Sequence, residues 1–119
     1  FNCEILMPYL EKPKKFKKVK SLAKHINYYN CAAWTKLRLS YIVEFPLCQL
    51  CLYKGRTSPV EQVHHILPIH GSEDLLEQRN RAYDPENLLS VCSECHVQLH
   101  NLLVLDPMIY RNLIKFMKN

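Results

Sequence analysis

Between Cys48 and His100 the chain concentrates two kinds of metal-binding side chain. The cysteines come as two C-x-x-C pairs, Cys48/Cys51 and Cys92/Cys95, with forty residues between them. The histidines come as an adjacent pair, His64 and His65, and as His96 and His100, of which His96 directly follows the second cysteine pair. Four thiolates in two short pairs are the donor set of a closed, tetrahedral structural zinc site. Imidazoles serve other ends: they hold a divalent ion while leaving positions for water and a phosphate oxygen, or they move a proton near neutral pH. The expectation is two centres, zinc on the cysteines and an open site on His64, His96 and His100, with His65 beside it as general base.

Particular elements must bring these residues together. Val60 to Leu67 reads as a strand, in which His64 and His65 face opposite sides and so have different jobs. Asn87 to Val91 is a second short apolar strand able to pair with it. A helix starting near Ser93 carries His96, Leu99, His100 and Leu103, and puts His96 and His100 one turn apart on one face. Cys95 and His96, consecutive on that helix, point about 100° apart and can serve different ions.

The flanks supply packing and charge. Residues 30–44 are helical, with Ala33, Leu37 and Tyr41 in one stripe, Trp34 and Ile42 alongside, Asn30 as N-cap and Pro46 as the stop. Trp34 is a core anchor, while Lys36 and Arg38 lie on the polar side, free to touch backbone phosphates. Gly55 follows the first cysteine pair where the chain needs an unusual backbone conformation. In residues 70–86, Ser72 can cap a short helix through Gln78, or the segment is an irregular loop. Arg79 and Arg81 there are natural phosphate contacts and equally ordinary surface residues. Asp106-Pro107 begins a last helix, over about 106–118, that turns Ile109, Leu113 and Phe116 to the core with help from Ile114 and Met117.

Composition narrows the function. At 119 residues the chain is one domain, with a core small enough to benefit from a metal staple. Its net charge of +5 is uneven: residues 1–40 hold nine Lys or Arg against two Glu, and residues 41–119 seven against nine acids. The basic arm, residues 1–28, is densest at Lys14, Lys15, Lys17 and Lys18, and reads either as a solvated tail or as a grip on a polyanion. With two glycines in the chain and no G-x-x-x-x-G-K-[ST], a nucleotide loop is excluded and no small-molecule cofactor is expected. No apolar run approaches the ~20 residues of a membrane span. Paired cysteines flanked by histidines fit a cytoplasmic metal site better than disulfides, and Cys3 and Cys31 read as small reduced thiols.

The segments YNCAAWTKLRLSYIVEFPLCQLC, VEQVHHILP and DPENLLSVCSECHVQLH together resemble the HNH endonucleases, especially the four-cysteine members from phages and bacterial mobile elements. The resemblance covers about Tyr29 to Asn101. It implies an α+β fold: a small ββα-metal core over about residues 60–101, a structural four-cysteine zinc site and flanking helices, within a nuclease domain spanning 29–119. It implies DNA as partner, and hydrolysis of phosphodiester bonds to 5′-phosphate and 3′-hydroxyl ends. The setting it implies is the cytoplasm of a bacterial or phage-infected cell. His65 corresponds to the first H, the general base; Asn87 to the N, bracing the site through bonds to backbone; His96 to the last H; and His100 to a further metal ligand. Where many relatives have aspartate, this chain has His64, an arrangement similar to the colicin-type DNases. A neutral ligand set favours Zn²⁺, Ni²⁺ or Mn²⁺ over Mg²⁺ as the catalytic ion. The rival readings are a non-catalytic zinc module that binds DNA, and a site-specific restriction or homing nuclease whose target is read by residues 1–29 or 102–119.

Overall fold

The structure, a computed structural model, describes residues 26–118. The arm lysines Lys14, Lys15, Lys17 and Lys18 lie outside the described residues. Among the described residues seven regular elements follow in order: α1 (Ala32–Glu44), α2 (Gln49–Tyr53), β1 (Gln62–His65), α3 (Leu75–Tyr83), β2 (Leu88–Val91), α4 (Ser93–Leu105) and α5 (Pro107–Lys118). Short 3-10 turns occur at Ile69–Gly71 and Pro85–Asn87. Among the described residues no helix is long and apolar enough to cross a membrane.

The chain forms two compact units. One combines the described residues up to Ser40 with Leu67–Asn87. Its small core joins Tyr28, Ile69 and Ala82, with Ile26 and Tyr83 packed against them. Polar ties do much of the joining: Tyr28 donates its hydroxyl to Gln78 Oε1 at 2.8 Å, and Tyr83 donates to the Tyr28 carbonyl at 2.8 Å. Trp34 is buried, edge-on to Tyr29, as expected of an anchor. Cys31 is disulfide-bonded, which corrects the reduced thiol expected of it. A single cysteine carries no local spacing that would announce a partner.

The other unit, Tyr41–Ile66 with Leu88–Asn119, contains the ββα core. β1 and β2 are antiparallel, with His64 opposite Leu89 and His65 opposite Leu88. β2 is buried throughout, whereas β1 is buried only at its two histidines. β1 is shorter than the Val60–Leu67 strand expected. At its start Val60 N–H bonds the Pro46 carbonyl at 3.0 Å instead of continuing the ladder. Glu61 then uses its carboxylate to cap α4, accepting from Ser93 N–H at 2.7 Å.

α4 begins at Ser93, as its sequence requires, and α5 at Pro107, where Asp106 Oδ1 accepts the Ile109 amide at 3.2 Å. The face that α5 buries differs from expectation. Tyr110 and Ile114 are buried and Leu113 and Met117 pack beside them, whereas Ile109 is 53 % and Phe116 70 % exposed. The apolar arc of this helix is broad, running from Phe116 and Ile109 through Leu113 and Met117 to Tyr110 and Ile114, so periodicity alone admits a face displaced by about one position. The hydrogen bonds of Tyr110 fix the choice.

Candidate metal centres and active site

The four cysteines converge in the core of the second unit, surrounded by Leu50, Leu89, Val91 and Leu99. Two local devices form the first knuckle. Cys48 is the N-cap of α2, its Sγ accepting the Cys51 amide at 3.3 Å. Gly55 then turns the chain out of α2 at φ 82°, and the following Arg56 N–H bonds back to the Cys51 carbonyl at 2.8 Å. The second knuckle is the first turn of α4. Cys51 Sγ lies 3.6 Å from Cys95 Sγ and 3.8 Å from Cys92 Sγ. A tetrahedron with Zn–S bonds of ~2.3 Å has edges of about 3.8 Å, so the tetrad is positioned for zinc. The Cys95 amide beside Cys92 holds that thiol down to about 7, while burial pushes Cys51 and Cys95 up. A cation shared by the sulfurs removes that conflict by deprotonating all of them.

His64, His96 and His100 form a second cluster, with one ring nitrogen from each within 4.8 Å of the others. β1 supplies the first and a single face of α4 the other two, His96 Nε2 and His100 Nε2 being 3.0 Å apart. His64 is edge-on to both rings at 5.2 Å between centroids. It is the most enclosed of the three, 1 % exposed, and burial followed by the neighbouring imidazoles pushes it down to about 3. Burial and His100 also lower His96. Neutral imidazoles are the form that binds a metal.

Hydrogen bonds show which nitrogen is available. His96 Nδ1 donates to Gln62 Oε1, which leaves the lone pair of its Nε2 facing His100 Nε2 and able to bind a metal. His64 Nε2 lies 2.7 Å from the Tyr110 hydroxyl, and His64 Nδ1 is buried without a hydrogen-bond partner. A buried orphan nitrogen beside two other imidazoles fits a metal ligand, and the histidine set therefore suits an open divalent site. Tyr110 is the residue that sequence reasoning missed. Its signal, an aromatic residue four positions after Asp106, is common to any amphipathic helix.

A consequence in acid follows from the enclosure of His64. Unfolded, its imidazole takes a proton near 6.5; folded, it stays neutral down to about 3. The unfolded chain therefore binds the extra proton, and stability falls as pH drops from about 6.5 towards 3, by up to about 1.4 kcal/mol per pH unit from this group. Thermal unfolding across that window, with the histidine site metal-free, should show this slope, and His64→Gln should lose that share of it.

His65 is 8 % exposed and does not join the three-histidine cluster, in keeping with the alternation of a strand. Asn87 is buried in the other unit and acts there as a substitute rung of sheet. Its Oδ1 accepts the Leu67 amide at 2.8 Å, and its Nδ2 donates to the Leu67 carbonyl at 3.1 Å and to the Arg81 carbonyl at 2.8 Å. Leu67 thus has both backbone groups satisfied by a side chain, two residues beyond His65. The basic residues are dispersed. Lys36 is exposed and Arg38 half-buried on α1, and Arg79 is half-buried on α3. Arg81 is tied down, pairing with Glu77 at 3.0 Å and donating to the Pro68 carbonyl at 2.9 Å.

A two-stranded antiparallel ribbon followed by a helix, with histidines from strand and helix converging, defines a ββα-metal core, stapled here by a cysteine tetrad. Residues 48–102 match the family model described as HNH endonuclease. The fold is similar to the HNH endonuclease of the deep-sea thermophilic bacteriophage GVE2, solved with a manganese ion. That likeness has a TM-score of 0.54 at 23 % identity, over 79 % of this chain and 90 % of the phage protein. No curated protein matches significantly.

Proposed function

We propose that this chain is a metal-dependent DNA endonuclease. The observation that carries the reading is the open cluster of His64, His96 and His100 next to His65, on an HNH segment. His64, His96 and His100 hold one divalent ion, and Cys48, Cys51, Cys92 and Cys95 hold a structural zinc. When bound, the divalent ion supplies Lewis-acid stabilisation of charge on the phosphate and the leaving oxygen. His65 takes a proton from the water that attacks phosphorus. Asn87 contributes indirectly, by pinning the chain just beyond His65. Lys36, Arg38 and Arg79 supply phosphate contacts, as do Lys14, Lys15, Lys17 and Lys18 in the arm; Arg81 has structural ties that compete with such a role. The four-cysteine site suits a cytoplasmic setting, in a bacterial or phage-infected cell, while the disulfide at Cys31 weighs against it.

Supercoiled plasmid incubated with the full chain and Mg²⁺, Mn²⁺, Ni²⁺ or Zn²⁺ in turn tests the reading. Mn²⁺, present in the phage enzyme, is the first to try. Relaxed or linear products that disappear with His65→Ala support a nuclease. Plasmid that is retarded on a gel but stays supercoiled with every metal would leave only a DNA-binding zinc module. The ligand assignment has its own test. His100→Ala should weaken Mn²⁺ binding at least tenfold in a calorimetric titration while zinc content stays constant; an unchanged isotherm would remove His100 from the site.

A further inference from the structure

We propose that Tyr110 is a positioning residue that sets the tautomer of His64, so that the Nδ1 lone pair faces the other two imidazoles. The proposal rests on the reading of that cluster as a metal site and adds a residue from outside the matched segment, since Tyr110 lies beyond residue 102.

The phenol oxygen of Tyr110 stands 2.7 Å from the Ile66 carbonyl oxygen and 2.7 Å from His64 Nε2. A carbonyl oxygen brings no proton, so the single hydroxyl proton of Tyr110 lies on the Ile66 side. The contact to His64 then requires a proton on Nε2, donated to the phenol oxygen. A neutral imidazole has one N–H, so Nδ1 is unprotonated. Nδ1 is also the buried atom without a hydrogen-bond partner. Three separate facts agree: the Ile66 contact, the His64 contact and the orphan nitrogen. In the reverse tautomer two lone pairs would face each other at 2.7 Å, and a proton would point into the cluster.

The geometry is enforced. Ile66 follows the histidine pair directly, so Tyr110 is anchored on the same segment it orients. Its ring is buried in the core that surrounds the cysteine tetrad, together with Ile114 from the same helix. α5 thereby takes part in the metal site without supplying a ligand to it.

Tyr110→Phe removes the hydroxyl and keeps the ring. Two-bond ¹H–¹⁵N spectra of the full chain, with zinc in the cysteine site and the histidine site metal-free, report the His64 tautomer at neutral pH. The wild type should show protonated Nε2 and bare Nδ1, whereas the variant should show a mixture of the two forms. Mn²⁺ affinity should fall about 10- to 100-fold, as for loss of other partners of metal-ligating histidines. Zinc content should be unchanged. A wild-type spectrum with the proton on Nδ1 overturns the proposal without any variant, so a misfolded Tyr110→Phe cannot shelter it. Unchanged tautomer and affinity in a folded Tyr110→Phe overturn it as well. If His64→Ala binds Mn²⁺ like the wild type, the metal reading fails, while the tautomer spectrum still decides what Tyr110 does.

Discussion

Cys92→Ser should release the proposed structural zinc and unfold the unit that contains the ββα core. Serine is close to cysteine in size, so packing loss is a small part of the effect. The larger part is the loss of a thiolate from a closed set. Binding at a structural zinc site contributes on the order of 10 kcal/mol of folding free energy, against about 5–15 kcal/mol for the net stability of a whole domain. The sulfurs also sit among Leu50, Leu89, Val91 and Leu99, so without a metal the core holds four thiols in place of a bonded centre. The expected result is loss of one zinc per chain and collapse of the cooperative thermal transition. EDTA treatment of the wild type should reproduce it. A variant as stable as the wild type, with EDTA and without, would remove zinc from the tetrad.

His65→Ala should leave the fold and both proposed metal centres in place and abolish the proposed DNA cleavage. Loss of a positioned general base costs about 10²- to 10⁴-fold in rate. His65 lies outside the cluster formed by His64, His96 and His100, so Mn²⁺ titrations of the variant should match the wild type. DNA retardation should match too, because the proposed phosphate contacts are made by lysine and arginine. Turnover persisting at the wild-type rate would take the base role from His65. Loss of metal binding together with cleavage would show that His65 supports the site as a ligand instead.

The parts of this architecture that sequence made legible are those encoded by short spacings. C-x-x-C brings two sulfurs onto one knuckle, His96 and His100 share a helical face because four residues make one turn, and the apolar run Leu88–Val91 finds its partner in β1. The fold class and the HNH resemblance follow from those same residues, and the family match and fold comparison support both. What stayed hidden depends on contacts between distant positions. Asn87 bonds Leu67 twenty residues away, and that exchange of a ladder rung for an amide is why β1 stops early. Tyr110 reaches His64 across forty-six residues, and its two bonds settle which face of α5 is buried, against the choice of Ile109 and Phe116. The disulfide at Cys31 left no trace in local pattern. The arm lysines, the strongest charge signal in the sequence, fall outside the described residues.

Cys95 and His96 are neighbours on the first turn of α4, one turned into a buried tetrad and the other to a partly open cluster. With ions bound as proposed, that junction would impose an order of assembly on them. The face bearing His96 and His100 begins at the turn that carries the second knuckle, so an enclosed zinc would load first and leave last. The ion on the more exposed histidines could then come and go on an already folded frame. Mild chelation would therefore produce an inert protein that regains activity on adding metal, and stripping the tetrad would produce one that must refold before it can.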